Sequence, residues 1–345
     1  MFSELPRQTR RAAFTVAGLA LFLIWDQYFW WKLSDEYAFG FIVPLFVAYV
    51  LYDRWPRISG LFVGSGGVAG LEGQKPDEKD TEKDPDSRTK LLMRFFEGVA
   101  LLMVFGGFGI FFLGALYRAI EGQNLITSNL IAFGFANLLL GSVFLYGDKR
   151  SDGNRNSLRE RLSLALLFLF PALIWMLSVP MFSAVHRVIS TFLMNQVAVV
   201  VYHSFDLLGF AIIREGSVLK LPLGDVGVED ACSGIRSLTA CLFAGSFLGA
   251  VYFEAFWKKG LLVLTAMLFA FINNIGRSLF LTSWAYSQGP EGLDAHLTLW
   301  GMDLGNIHDF TGWVVLGITV LCLLALVKLF SLRLEYPLEE PLHPS

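Results

Sequence analysis

Apolar and polar stretches alternate along the chain with a period set by a lipid bilayer. The first apolar run goes from Ala12 to about Trp31, behind Arg7, Arg10 and Arg11, and ends in Tyr28, Phe29, Trp30 and Trp31. It is too long for a signal peptide and lacks a small-residue cleavage site. Its closing aromatics fit a membrane–water boundary. A second run spans about Tyr37–Tyr52, where Gly40 and Pro44 are expected to loosen the helix and let a neighbour approach. Further runs follow at about 95–116, 125–146, 163–182, 233–256, 261–286 and 310–330. A membrane helix needs about 20 apolar residues, so the pattern predicts eight crossings.

Three stretches do not fit this rhythm. Residues 56–92 hold a charged, Pro-containing insert, EGQKPDEKDTEKDPDSRTK at its middle, and are expected to be disordered. Residues 183–206 are apolar but carry His186, Arg187, Asn195, Gln196, His203 and Asp206. Charge at the membrane centre is costly, so a helix lying in the interface or against the bundle is expected there, not a ninth crossing. The segment FAIIREGSVLKLPLGDVGV, from Phe210 to Val228, alternates and is rich in Gly. It predicts a small outer β-hairpin or extended loop.

Composition agrees with the pattern. The 345 residues are 54% hydrophobic and 17% charged, against about 25% charged in soluble domains. The expected fold is therefore an all-α polytopic membrane protein, one domain over 1–345. Charge then sets orientation. With the N-terminus inside, the basic links at 53–94, 147–161 and 257–260 and the C-terminus all fall on the cytoplasmic side. Both ends are thus cytoplasmic, and a ninth crossing would put Lys258 and Lys259 outside. No basic face with interleaved aromatics points to nucleic acid.

The candidate chemistry lies on one face of this topology. The stretch VEDACSGIRSL at 228–238 puts two acids and then Cys232 at the start of the sixth apolar run. A thiol attacks carbonyls as thiolate, which a helix N-terminus and a nearby cation such as Arg236 favour. Arg277 stands 16 positions along the seventh run, about 24 Å from its inner end. There it can stabilise an oxyanion in a low-dielectric setting. His308 opens the eighth run and can move protons as a general base and acid, with His296 a rival on the same outer link. Cys241 and Cys322 lie within apolar runs as packing residues. No Cys/His cluster suggests zinc, and no metal or cofactor is expected.

The strings ACSGIRSL at 231–238, NNIGRS at 273–278 and HDFTGW at 308–313, with YAFGFIVPL at 37–45, resemble the exosortase/archaeosortase family of membrane cysteine transpeptidases. That resemblance implies Cys232 as nucleophile, Arg277 as catalytic arginine and His308 as third member. The histidine at that last position favours the exosortase branch. Arg236, Glu229, Asn273 and Asn274 are assigned to substrate binding or support. It also implies exported substrates with a short PEP-like C-terminal motif, one membrane helix and a basic tail. Cleavage would pass through a thioester at the outer face of the inner (plasma) membrane, with transfer to a lipid or surface polymer, or release. The acidic insert is not part of the family pattern. Two other classes fit less well. A transporter or channel with Arg277 and His308 in a polar pathway would be expected to show an internal repeat or more acids within the spans. A thiol-dependent membrane acyltransferase would use the same cysteine.

Overall fold

The structure is a computed structural model that describes residues 7–63, 87–148, 155–227, 234–299 and 302–332. Helices dominate it, and the chain divides into two compact units, Met1–Phe182 and Ser183–Ser345. Among the described residues, nine helices are long and apolar enough to cross a membrane by length and composition. The protein is thus an all-α polytopic membrane protein with a few short strands.

The first unit holds α1 (Arg7–Leu33), a 3₁₀ turn (Asp35–Ile42), α2 (Val43–Asp53), α3 (Trp55–Val63), α4 (Ser87–Glu121), α5 (Leu125–Tyr146) and α6 (Leu158–Leu177). The second apolar run breaks at its expected weak points. Residues around Gly40 form the 3₁₀ turn, and Pro44 sits in the first turn of α2, where a missing N–H costs nothing. A Cβ on Gly40 would fall 2.1 Å from the Trp31 indole, so the glycine lets the turn fold back on α1. The expectation of disorder over 56–92 narrows. Residues 55–63 and 87–92 are helical, because their apolar and straight-chain residues continue α3 and α4; the stretch between them lies outside the described residues.

Buried polarity joins the helices of this unit. Asp26, fully buried in α1, accepts a 2.6 Å bond from Arg118 Nε at the end of α4. The Arg118 guanidinium lies 3.8 Å from the Trp25 ring centroid. Gln27 donates to the Trp175 carbonyl and accepts from Ser178, tying α1 to the end of α6. A charge in a membrane is tolerated when it is paired in this way.

The second unit holds α7 (Ser183–Leu207), β1 (Ile213–Glu215), β2 (Val218–Leu221), β3 (Gly224–Gly227), α8 (Ile235–Tyr252), α9 (Phe256–Gln288), a 3₁₀ turn (Pro290–Asp294), β4 (His296–Leu299), β5 (Met302–Asn306) and α10 (Ile307–Leu332). The predicted extended loop is a three-stranded antiparallel sheet, β1–β2–β3. A second hairpin, β4–β5, leads into α10. The stretch expected to lie in the interface is one continuous 25-residue helix, α7, and is the additional candidate span. Its Val197, Ala198, Val201 and Phe205 form a buried cluster with Leu219 of β2, against Phe271, Ile275, Leu279 and Tyr286 of α9. Arg187, Gln196, His203 and Asp206 stay exposed. One apolar stripe thus anchors α7, while its exposed face mixes these polar residues with Val188, Phe192 and Val200.

Helices α8, α9 and α10 form an antiparallel trio. Cys241, Ala266, Ala270 and Leu323 share a buried cluster, and Gly245 gives room to Ala266 and Val263. Cys241 is thus a packing residue between helices.

Candidate active site

The start of α8, the stretch of α9 around residues 273–277 and the start of α10 come together in the second unit. Cys232 and Glu229 lie outside the described residues. In sequence, Cys232 precedes Gly234 by two residues.

Gly234 caps α8 in a left-handed conformation, with φ of +79°. That conformation favours glycine. A Cβ there would lie 2.7 Å from the amide group of Asn274 on α9, well inside van der Waals contact. Asn274 is 1% exposed, so this polar side chain is sealed against the first turn of α8. Its neighbour Asn273 points elsewhere. Its Nδ2 donates a 2.8 Å bond to Thr319 Oγ1 on α10, and Thr319 donates in turn to the Val315 carbonyl. The two asparagines thus fix α9 to α8 and to α10.

These contacts set the levels of the site. The Asn273–Thr319 bond puts Arg277 Cα level with about residue 315 of the antiparallel α10, since both helices rise 1.5 Å per residue. The Arg277 side chain then reaches further toward the helix end. Its Nη2 donates to the His308 carbonyl at 3.2 Å and passes Gly312. The same Nη2 stands 3.5 Å from His308 Nδ1 and 3.2 Å from Nε2. A donor aimed along one ring lone pair would be roughly 5 Å from the other nitrogen. Near-equal distances therefore put Nη2 against the ring and not along the lone pair of either nitrogen. Neither in-plane nitrogen direction is used by the arginine. Nδ1 has the Asp309 carboxylate 3.6 Å away, and the Asp309 N–H is capped by Asn306 at 2.7 Å. His308 keeps 28% of its side-chain surface, so solvent or a substrate can reach it.

Of the residues singled out in the sequence, Arg277 and His308 are therefore in contact, and Asn273 and Asn274 support the same helices. Arg236 is exposed on the first turn of α8, and its backbone carbonyl accepts from Thr239. His296 opens β4 across from Asn306, the residue that caps the first turn of α10. On the nearby sheet, Glu215 bonds Lys220 at 2.6 Å and holds the ammonium above its usual range.

A model of the transmembrane exosortases matches residues 30–325, most of the chain. The chain belongs to the transmembrane exosortase family. No curated protein and no solved structure matches it. Family membership carries a membrane transpeptidase-type function directed at C-terminal sorting signals of exported proteins. The matched region takes in Gly40, Gly234, both asparagines, Arg277 and His308 of this exosortase, and ends within α10. Sequence reasoning passed over Ser278 and Thr319. The four-residue step from Asn274 to Ser278 was a visible signal that both face one side of α9.

Proposed function

We propose that this exosortase is a cysteine transpeptidase or peptidase that cleaves exported proteins near a C-terminal tail made of a PEP-like motif, one membrane helix and a basic end. Cys232 is the nucleophile. His308 takes the thiol proton, Sγ attacks the scissile carbonyl carbon, and the carbonyl oxygen becomes an oxyanion that Arg277 stabilises. Collapse breaks the C–N bond. The departing amine takes the proton from His308, leaving a thioester on Cys232. An amine acceptor or water then attacks the thioester carbonyl and restores the thiol. Arg236 and Glu229 support the segment around the nucleophile.

The observation that carries this reading is the Arg277–His308 contact at the helix end where α8 begins. The contact puts a cation and a group that can move protons side by side at this end of the unit. The reaction faces the outside of the inner (plasma) membrane, by the positions of the basic loops. In this orientation α7 packs on the bundle without completing a crossing, which keeps the β1–β3 end outside and Lys258 and Lys259 inside. Membrane lipid surrounds the bundle, and the acceptor is a lipid or surface-polymer amine, or water. Mass spectrometry of the processed C-terminus tests the reaction type. A mass adduct on the new end means transfer, and a free carboxylate means hydrolysis. Intact substrate after incubation with folded, inserted protein contradicts the proposal.

A further inference from the structure

In the first unit, Arg118 of α4 is held from several sides. Its Nε donates to the buried Asp26 carboxylate at 2.6 Å, and its Nη2 to Gln123 Oε1 at 3.2 Å. Gln123 Nε2 donates in turn to the Asp26 carbonyl. The guanidinium lies 3.8 Å from the Trp25 ring centroid, so one of its faces is covered as well. Nε and Nη2 form one edge of this planar group. The other edge, Nη1 with the second N–H of Nη2, makes no bond among the described residues. The Arg118 side chain keeps 16% of its surface, while Asp26 is fully buried. The result is a fork of N–H donors, fixed in place and open on one side. That geometry matches two oxygens of one phosphate or carboxylate.

The level of the fork narrows the ligand. Toward the opposite end of α4, Glu97 accepts from the buried Arg161 of α6 at 2.8 Å. Arg118 is 21 positions further on (118 − 97), about 31 Å along the helix. The hydrocarbon core of a bilayer is about 30 Å thick, so with Glu97 at one boundary Arg118 lies at the other. Below it, α1 presents an apolar lane. Phe14, Leu21 and Trp25 are exposed, and a Cβ on Gly18 would meet nothing within 4 Å. Steps of four, three and four put these residues on one face. From Phe14 to Trp25 is 11 positions (25 − 14), about 16 Å, close to half the hydrocarbon thickness. One acyl chain of one leaflet fits that length. Asp26 cancels the charge of Arg118 at a distance, so a free anion gains little there, whereas a lipid adds the burial of its chain.

We propose that the open edge of Arg118 and the lane on α1 form a binding site for a membrane lipid with a phosphate headgroup. The phosphate oxygens accept from Nη1 and Nη2, and an acyl chain lies along Trp25, Leu21, Gly18 and Phe14. Asp26 and Gln123 are positioning residues for the arginine. The site lies within the first unit and stands independently of the cysteine reading.

Native mass spectrometry of the full-length protein in detergent tests it, with dioleoyl phosphatidylglycerol as the probe and the Kd of the first bound lipid as the readout. Dioleoylglycerol, which has the chains without the phosphate, should bind about tenfold more weakly, and so should the phospholipid to Arg118→Lys, which keeps a cation for Asp26 but has no fork. Asp26→Asn combined with Arg118→Gln removes both charges together and should weaken binding to the same extent. This double variant carries the mutational test if the lysine variant does not fold, and the comparison of the two lipids on the wild type needs no variant. Arg159→Lys, on the first turn of α6, should bind as the wild type does. Inorganic phosphate in large excess should leave the lipid bound. Equal affinity of the wild type for the two lipids, or undiminished affinity in a folded Arg118 variant, overturns the site. Displacement of the lipid by inorganic phosphate would show a free anion as the ligand and overturn the lipid.

Discussion

Replacing Gly234 with alanine should uncouple α8 from α9 at the site. The magnitude has two parts. A non-glycine residue held at φ +79° costs about 1–3 kcal/mol. Forcing a Cβ to 2.7 Å from the buried Asn274 amide adds overpacking of about 1–3 kcal/mol. The sum is about 2–6 kcal/mol, at the upper end of single-residue effects. Asn274→Ala removes the obstructing atoms but leaves the backbone strain. In a double-mutant cycle, Gly234→Ala should therefore cost about 1–3 kcal/mol less in the Asn274→Ala background. The assay is unfolding of the full-length protein in mixed micelles, followed by tryptophan fluorescence, with processing measured in parallel. If Gly234→Ala costs the same in both backgrounds, the Asn274 side chain is not packed on that glycine, and the account of the α8 start is wrong.

Other predictions concern the helix contacts, the arginine and the topology. Asn273→Ala or Thr319→Val should each lose the α9–α10 bond at a cost of about 0.6–2 kcal/mol. Thr319→Ser should keep it, and equal melting points for Val and Ser at 319 would refute the bond. Arg277→Lys should lower processing by about a hundredfold or more, because an ammonium cannot span the His308 carbonyl and an oxyanion as a planar fork does. Near-normal processing by the lysine variant would show that charge alone suffices. In a Cys232→Ala background, Leu223→Cys on the β2–β3 turn should react with an impermeant thiol reagent on intact cells, while Trp257→Cys should react only after permeabilisation. The opposite pattern would mean that α7 completes a crossing.

Much of the helical frame was legible because apolar length is a strong signal. The run at 125–146 coincides with α5, whose start is fixed by the Asn124–Thr127 capping box. The alternation at 210–228 did mark strands. Ends were less legible where charge and apolarity mix. α4 begins at Ser87 and runs to Glu121, because its charged ends are good helix formers that the expected span of 95–116 left out. The β4–β5 hairpin was missed because its short alternation lies in a link between two strong helix signals. Asp26 could be seen as a charge in an apolar run, but its partner Arg118 is 92 positions away and no local pattern names it. At the site, residue type and helix level singled out Arg277 and His308. Their contact and the division of labour between Asn273 and Asn274 depend on how three helices are set against each other, which a linear pattern does not contain.

The thiol is the centre of the account, and removing it is the most direct test. An exported protein with a sorting tail is co-expressed with the wild type or with Cys232→Ala, Cys241→Ala or Cys322→Ala, and the share of processed substrate is measured. Losing one small side chain beside a helix start should cost little stability, within the roughly 0.5–3 kcal/mol usual for point changes. The Cys232→Ala protein should therefore be folded, inserted and inactive. Cys232→Ser should also be inactive, since a hydroxyl ionises far less readily than a thiol, and the other two variants should process normally. Undiminished processing by folded Cys232→Ala would contradict the account.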